Sequence, residues 1–265
     1  MTFFEKLDAA IEKNNSLLCI GLDPEFEKLP ETFKSLENPQ FDFNKKIIDE
    51  TYDLVSVYKP NSAFYEARGA QGITELKMTC EYISQQYPEI PVLLDFKRAD
   101  IGNTNNGYVS FAYDYLKVDA VTLHPYLGYE ALKPFLDKTD KGNFILCKTS
   151  NAGSGEIQDL EINNSALHTH IAQLVSQNWN GNNNCGLVVG ATHPEELKTI
   201  RIAAPDLTLL IPGIGAQGGD LENTLINGLK ANKKGLIISS SRGIIFAESP
   251  RVEAEKLRDE INSYR

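Results

Sequence analysis

The sequence has few of the features that mark secreted, membrane and disulfide-rich proteins. Its 265 residues include one tryptophan, two methionines and four cysteines. No two cysteines form a CxxC pair, so we expect four reduced thiols in a cytoplasmic protein. No apolar run approaches the roughly 20 residues that span a membrane. The first residues, MTFFEKLDAAIEK, are amphipathic and charged, which is unlike a signal peptide.

An excess of positive charge is also missing. The chain has 26 Lys and Arg residues against 36 Asp and Glu residues, a net charge of -10. General nucleic-acid binding relies on basic patches, so we do not expect a nucleic-acid partner. One small phosphorylated ligand needs only a local anion site and remains compatible with this charge. The four histidines are scattered without zinc-like spacing, and we expect no metal site.

Short apolar runs alternate with amphipathic segments along the whole chain. The runs that predict strands are Leu17–Leu22, Leu54–Tyr58, Val92–Asp95, Ala120–His124, Phe144–Lys148, Gly186–Gly190, Leu207–Pro212 and Leu236–Ser239. The segments that predict helices include Asp42–Asp53, Gly72–Gln86, Asn105–Leu116, Ser165–Asn178, Pro194–Ile200, Leu221–Leu229 and Pro250–Ser263. Eight such units predict an α/β fold, one (β/α)8 TIM barrel formed by residues 1–265 as a single domain. An open doubly wound sheet is the structural alternative.

Chemically reactive side chains follow the apolar runs. Asp23 follows the first run and Lys59 the second, and the stretch LLDFKRADIGNT places Asp95, Lys97 and Asp100 at the end of the third. Further polar loops, such as KTSNAGSGE, GATHPEE and SSSRGI, follow later runs. Barrel enzymes place their active sites at the carboxyl ends of the strands. The regular position of these side chains after the predicted strands therefore indicates a functional site rather than a solvent-exposed run of charges.

The third run predicts a charged array. Asp95 and Lys97 are two residues apart, so on a strand their side chains point to the same side. Lys59 ends the neighbouring run and can approach them. Buried carboxylates need cationic partners, and two lysines with two aspartates can form a neutral alternating array. The alternative is that these charges form an ion-pair network with a purely structural role at the rim of the barrel.

Two later loops predict an anion site. PGIGAQGGD offers glycine N–H groups before a helix start, and Gln217 adds an amide donor. Arg242, at the end of the eighth run, is a forked donor suited to a phosphate dianion. Asp23 is a candidate acceptor for a hydroxyl group of a ligand, although an Asp before Pro24 can simply form a turn. Ser150 is a candidate donor to a ligand, with turn formation as its alternative role.

These motifs resemble orotidine 5'-monophosphate decarboxylases, in particular the longer bacterial subgroup. LLDFKRADIGNT is similar to the family's Asp-x-Lys-x-x-Asp-Ile-x-x-Thr signature, and LCKTSNAGSGEIQDL, GLVVGAT and PGIGAQGGD are similar to later blocks in the same order. The sequence departs from the subgroup at Ala152, where proline is expected, and at His124, where asparagine is expected. The resemblance implies decarboxylation of orotidine 5'-monophosphate to uridine 5'-monophosphate and CO2 in pyrimidine biosynthesis, without a cofactor.

The resemblance also implies roles for individual residues. Lys59, Asp95, Lys97 and Asp100 form the catalytic array, and Lys97 protonates C6 of the pyrimidine. Asp100 belongs to the site of the other subunit of a homodimer, with Thr104 near it. Ser150 contacts the pyrimidine amide edge.

Two alternatives stay open at this point. One is a metal-dependent sugar-phosphate decarboxylase or synthase of the same suprafamily. The other is a catalytically inactive barrel that binds a nucleotide.

Overall fold

Within residues 1–214 and 219–265, which the computed structural model describes, eight buried strands form one parallel sheet. Their Leu, Ile and Val side chains are shielded on both faces, as parallel strands between helices require. The strands are β1 Leu18–Leu22, β2 Val57–Pro60, β3 Leu93–Arg98, β4 Ala120–Leu123, β5 Gly142–Lys148, β6 Cys185–Val189, β7 Thr208–Pro212 and β8 Leu236–Ser240.

The sheet curls into a nearly closed barrel. Its strand order is β2-β1-β8-β7-β6-β5-β4-β3, and β2 meets β3 through the isolated bridges Tyr58–Val92 and Asn61–Asp95. The predicted (β/α)8 barrel is therefore confirmed, and the open sheet is not.

Helices cover the outside of the barrel. They are α1 Phe3–Asn14, α2 Glu31–Lys34, α3 Pro39–Thr51, α4 Ser62–Glu66, α5 Gly69–Gln86, α6 Gly102–Val109, α7 Gly128–Leu136, α8 Gly155–Gln158, α9 Leu167–Leu174, α10 Pro194–Ala203, α11 Leu221–Gly228, α12 Arg242–Ile245 and α13 Pro250–Asn262. Short π-helical stretches, Ser110–Tyr115 and Val175–Trp179, continue α6 and α9. No helix of the described residues is long and apolar enough to cross a membrane.

Several predicted boundaries differ from the structure by a few residues, and three of the differences have a clear structural cause. Strand β2 begins at Val57 rather than at Leu54, because the Leu54 N–H still bonds the carbonyl of Thr51 at the end of α3. Strand β3 continues through the charges to Arg98, which pairs with Leu123 of β4. The helix predicted from Ser165 begins at Leu167, because Glu161–Ile162 and Ser165–Ala166 form a hairpin.

The turn of this hairpin explains the last difference. Asn163 and Asn164 both have positive φ angles, 51° and 63°. Asparagine tolerates this conformation, and two such residues in succession suit the tight turns that connect antiparallel strands.

Candidate functional site

A cavity of about 460 Å³ opens at the carboxyl ends of the strands. Six of the nine predicted site residues line it: Asp23, Lys59, Asp95, Lys97, Ser150 and Arg242. Leu146, Val188, Leu210 and Ile214 add an apolar wall. Gln217 lies outside the described residues. The cavity thus combines charged groups with an apolar wall that can exclude water from a bound ligand.

Asp95 is the centre of the charged cluster. Its side chain is 11% exposed, and its carboxylate accepts hydrogen bonds from two lysines. Lys97 Nζ lies 2.6 Å from Oδ1, and Lys59 Nζ lies 3.1 Å from Oδ2. Thr122 donates to Oδ1 at 2.8 Å, and Asn61 to Oδ2 at 3.4 Å. Four donors therefore hold one carboxylate in a single orientation.

The ionisation of this cluster follows from its charges. Burial alone would raise the pKa of Asp95, but the charges of Lys59 and Lys97 outweigh burial and hold that pKa well below its usual range. Burial would lower the pKa of Lys59, yet the charges of Asp95 and Asp23 raise it instead. Lys59 is buried, whereas the side chain of Lys97 is 45% exposed and can reach a ligand in the cavity.

Lys97 has an unusual backbone conformation. Its φ angle is +46°, in the left-handed region that lysine rarely adopts. The residue lies within β3, where the register with β4 shifts between Leu94 and Arg98. Such a bulge redirects a side chain, and bulges are common next to active sites.

Asp100 and Thr104 lie away from the charged cluster of their own chain. Thr104 is exposed, and Asp100 accepts a hydrogen bond from the Ile101 N–H at 2.7 Å, just before α6. Neither residue lines the cavity. Asp100 also has no ion pair within the described part of the chain. One chain therefore brings together three members of the predicted array, Lys59, Asp95 and Lys97, but not the fourth, Asp100.

Two oxygen atoms at the mouth near β1 and β8 are buried without a hydrogen-bond partner among the described residues. They are Oδ1 of Asp23 and Oγ of Ser241. Arg242 is exposed and begins α12 directly after Ser241. Sequence reasoning did not identify Ser241, although it lies in the quoted SSSRGI stretch.

The segment that follows β5 is tied back to the barrel. Gln158 Oε1 accepts from the Thr149 N–H at 2.9 Å, and the buried Lys148 Nζ lies 2.6 Å from Asp159 Oδ1. Ser150 packs closely on Gly190, the residue after β6, since a Cβ at Gly190 would lie 2.8 Å from Ser150 N and Cβ. The glycine in GLVVGAT therefore permits this close approach.

Sequence reasoning also missed Thr122 and Asn61, which bond Asp95 from β4 and from the end of β2. Their role depends on which strands are neighbours, which the sequence pattern does not specify. Among the described residues, no group of three or more His, Cys, Asp and Glu side chains could hold a metal ion.

Comparison with known proteins supplies a family. The model of the "Orotidine 5'-phosphate decarboxylase / HUMPS family" matches residues 16–257. Over 274 aligned residues the chain is 46% identical to the orotidine 5'-phosphate decarboxylase of Cellvibrio japonicus, and the match covers 100% of both chains.

Solved structures agree in fold. The OMP decarboxylase of Leishmania donovani superposes with a TM-score of 0.90 at 39% identity, covering 100% of this chain and 98% of that one. The UMP synthase of the same organism gives a TM-score of 0.92 at 40% identity. This chain spans 56% of the length of that synthase.

Proposed function

Since the chain belongs to the orotidine 5'-phosphate decarboxylase / HUMPS family, we propose that it converts orotidine 5'-monophosphate to uridine 5'-monophosphate and CO2, a step of pyrimidine biosynthesis. Residues 1–265 would form one catalytic domain that needs no metal or organic cofactor. The observation that carries the proposal is the Asp95 carboxylate, which bridges the ammonium groups of Lys59 and Lys97 in the cavity at the mouth of the barrel.

The cluster suits a reaction that develops negative charge on carbon. When the bond between C6 and the carboxylate breaks, CO2 leaves and the electron pair stays on C6. The Lys97 ammonium stabilises this carbanion and donates a proton to C6, and the neutral amine then regains a proton from water. Asp95 orients Lys97, and its own charge near the substrate carboxylate raises the energy of the ground state.

The remaining side chains of the cavity would hold the parts of the substrate that do not react. Arg242 binds the phosphate dianion with Gln217, Asp23 accepts from a ribose hydroxyl, and Ser150 contacts the amide edge of the pyrimidine. Binding energy from the phosphate can be used to organise the reacting centre. The unpartnered oxygens of Asp23 and Ser241 support a polar ligand at this side of the cavity.

The active enzyme is proposed to be a homodimer with shared sites. Asp100 would complete the charged array of the partner, with Thr104 beside it, since Lys59 and Lys97 share the single carboxylate of Asp95 as their direct partner. Four exposed apolar side chains lie around the contacting helices α6 and α7 and would be covered in the dimer: Ile101, Tyr126, Leu127 and Tyr129.

Composition supports a proposal about the compartment and the partners of the enzyme. We propose a cytoplasmic enzyme that binds neither nucleic acid nor membranes. The net charge of -10 and four free, buried cysteines support this proposal. Burial raises the pKa of the Cys19 and Cys80 thiols to about 12, which keeps them unreactive in a reducing compartment.

One assay tests the function. Purified protein is mixed with orotidine 5'-monophosphate and a chelator, and ultraviolet absorbance follows the formation of uridine 5'-monophosphate. The wild-type protein should convert the substrate even in the presence of the chelator. The Lys97→Ala variant should lose turnover yet still bind uridine 5'-monophosphate. A requirement for added magnesium would favour the sugar-phosphate enzymes. Tight nucleotide binding without turnover would favour an inactive barrel.

A further inference from the structure

The bulge in β3 faces a single residue of β4. Leu94 pairs with Val121 and Arg98 pairs with Leu123, so the three residues from Asp95 to Lys97 lie opposite Thr122 alone. The regular ladder is interrupted there, and the polar groups of the bulge need other partners. Both residues assigned to the reaction, Asp95 and Lys97, lie within this interruption.

The hydroxyl of Thr122 supplies those partners. Oγ1 donates to Asp95 Oδ1 at 2.8 Å and accepts from the Lys97 N–H at 3.0 Å. A hydroxyl has one hydrogen and two lone pairs, so it can make both bonds at once. Thr122 lines the cavity but is only 1% exposed. The atoms packed around it therefore hold its side chain in place.

The Lys97 conformation needs such support. A non-glycine residue in the left-handed region is strained and persists only where its surroundings over-determine it. Thr122 holds the backbone N–H of Lys97, while Asp95 holds Nζ at 2.6 Å. The same hydroxyl therefore fixes one end of Lys97 directly and the other end through Asp95.

We propose that Thr122 is a positioning residue for the decarboxylation. It sets the orientation of the Asp95 carboxylate and the bulge of β3, and through both it aims the Lys97 ammonium at C6. This inference rests on the proposed function, because it takes Lys97 as the proton donor. Thr122 acts on the reacting atoms only through these two residues.

Two substitutions separate the hydroxyl from the shape of the side chain. Thr122→Val keeps the volume and removes the hydroxyl, whereas Thr122→Ser keeps the hydroxyl. We expect Thr122→Val to lower kcat by about 10- to 100-fold, the loss that a small misplacement of a reacting group produces. The KM should change by less than about threefold, because the contacts to phosphate and ribose are intact. Thr122→Ser should keep kcat within about threefold of wild type.

A second readout isolates the proton transfer. Exchange of the C6 hydrogen of uridine 5'-monophosphate into D2O, followed by NMR, reports delivery by Lys97 without CO2 chemistry. Exchange should slow in Thr122→Val while the Kd for uridine 5'-monophosphate stays near that of wild type. Thr122→Ala provides the same comparison if Thr122→Val is insoluble.

Thr79 offers a matched control. It is fully buried, and its hydroxyl also donates and accepts, to the Glu75 carbonyl at 2.8 Å and from Asn44 Nδ2 at 3.1 Å. It lies on α5, outside the cavity. Thr79→Val should lower Tm and leave kcat unchanged.

Three results would overturn the proposal: kcat of Thr122→Val within threefold of wild type, a Thr122→Ser variant as slow as Thr122→Val, or a loss confined to KM. An active Lys97→Ala variant would instead overturn the assignment of Lys97 as the proton donor, and a wild-type protein without turnover would overturn the proposed function itself.

Discussion

Asp95 and Lys59 form an ion pair inside the barrel. This pair stabilises the fold only when both partners are present. The atoms of the pair lie 3.1 Å apart, and the two side chains are 11% and 6% exposed. Removing one partner of a buried pair costs about 3–5 kcal/mol, because the other charge is left without compensation. The pair therefore matters for folding as well as for chemistry.

The lowered pKa of Asp95 gives stability a defined pH dependence. A carboxyl group whose folded pKa lies below its unfolded value stabilises the protein above the unfolded pKa, about 4. This contribution is lost as pH falls from about 4 toward the folded pKa. Asp95 should thus stay ionised at pH 5, so it does not limit activity there.

We expect Asp95→Asn to lower the free energy of unfolding by about 3 kcal/mol at pH 7 and by less at pH 3. Urea unfolding at pH 7, 5, 4 and 3 measures the difference from wild type. Asp8→Asn, at an exposed position without an ion pair in the described residues, should have little effect. A destabilisation by Asp95→Asn that is equal at pH 7 and pH 3 would contradict this assignment.

At the scale of elements, the segment between β5 and α9 is held by a polar cluster at its base. Lys148 is 1% exposed, and its ammonium contacts Asp159, which also lies 3.3 Å from His168 Nδ1. The hydrogen bond from Lys148 is the main cause of the lowered pKa of Asp159. The segment carries Ser150, so the cluster helps to keep that residue at the cavity.

Asp159→Asn should therefore affect both stability and substrate binding. The variant leaves the buried Lys148 ammonium without a carboxylate, and we expect a loss of about 1–2 kcal/mol, less than for a fully buried pair because Asp159 is half-exposed. The KM for orotidine 5'-monophosphate should rise by a few-fold. Urea unfolding and steady-state kinetics measure the two effects.

The pair Lys133–Asp137 is the control for that variant. Its atoms are also 2.6 Å apart, but both side chains are 53% exposed. Asp137→Asn should change the free energy of unfolding by no more than about 0.5 kcal/mol and leave KM unchanged. Equal effects of the two substitutions would show that burial of Lys148 is unimportant.

At the scale of the whole molecule, the proposed dimer makes a prediction about shared sites. Asp100→Ala chains and Lys97→Ala chains should each be inactive alone. In a heterodimer, one site carries both lesions, and the other combines an intact Lys97 with an intact Asp100. An equimolar mixture that exchanges subunits should recover about a quarter of wild-type activity, because about half of the dimers are mixed and each has one good site.

A second mixture controls for that experiment. Asp95→Ala and Lys97→Ala remove residues that lie in the same cluster of one chain, so no heterodimer of these variants has an intact site. This mixture should stay inactive. If the first mixture exchanges subunits and also stays inactive, Asp100 acts within its own chain.

The sequence by itself determined the eight strands, the barrel and six residues of the cavity. Continuous apolar runs need cover on both faces, and residues that follow parallel strands meet at one end of a barrel. Its boundaries were less accurate at β2, β3 and α9, where hydrogen bonds to other elements set the ends. The predicted helix start at Ser165 was wrong. Two asparagines in the left-handed region make a hairpin turn, so Ser165 and Ala166 belong to a strand and the helix begins after them.

Only the tertiary structure decided how the cluster is held. The left-handed Lys97, the hydroxyl of Thr122 on the neighbouring strand and the buried oxygen of Ser241 depend on which strands are adjacent and in which register. Periodicity along one strand carries no information about its neighbour's register, because hydrogen bonds between strands set it. The pairing of Lys148 with Asp159 likewise arose from the path of a loop, which residue patterns do not specify.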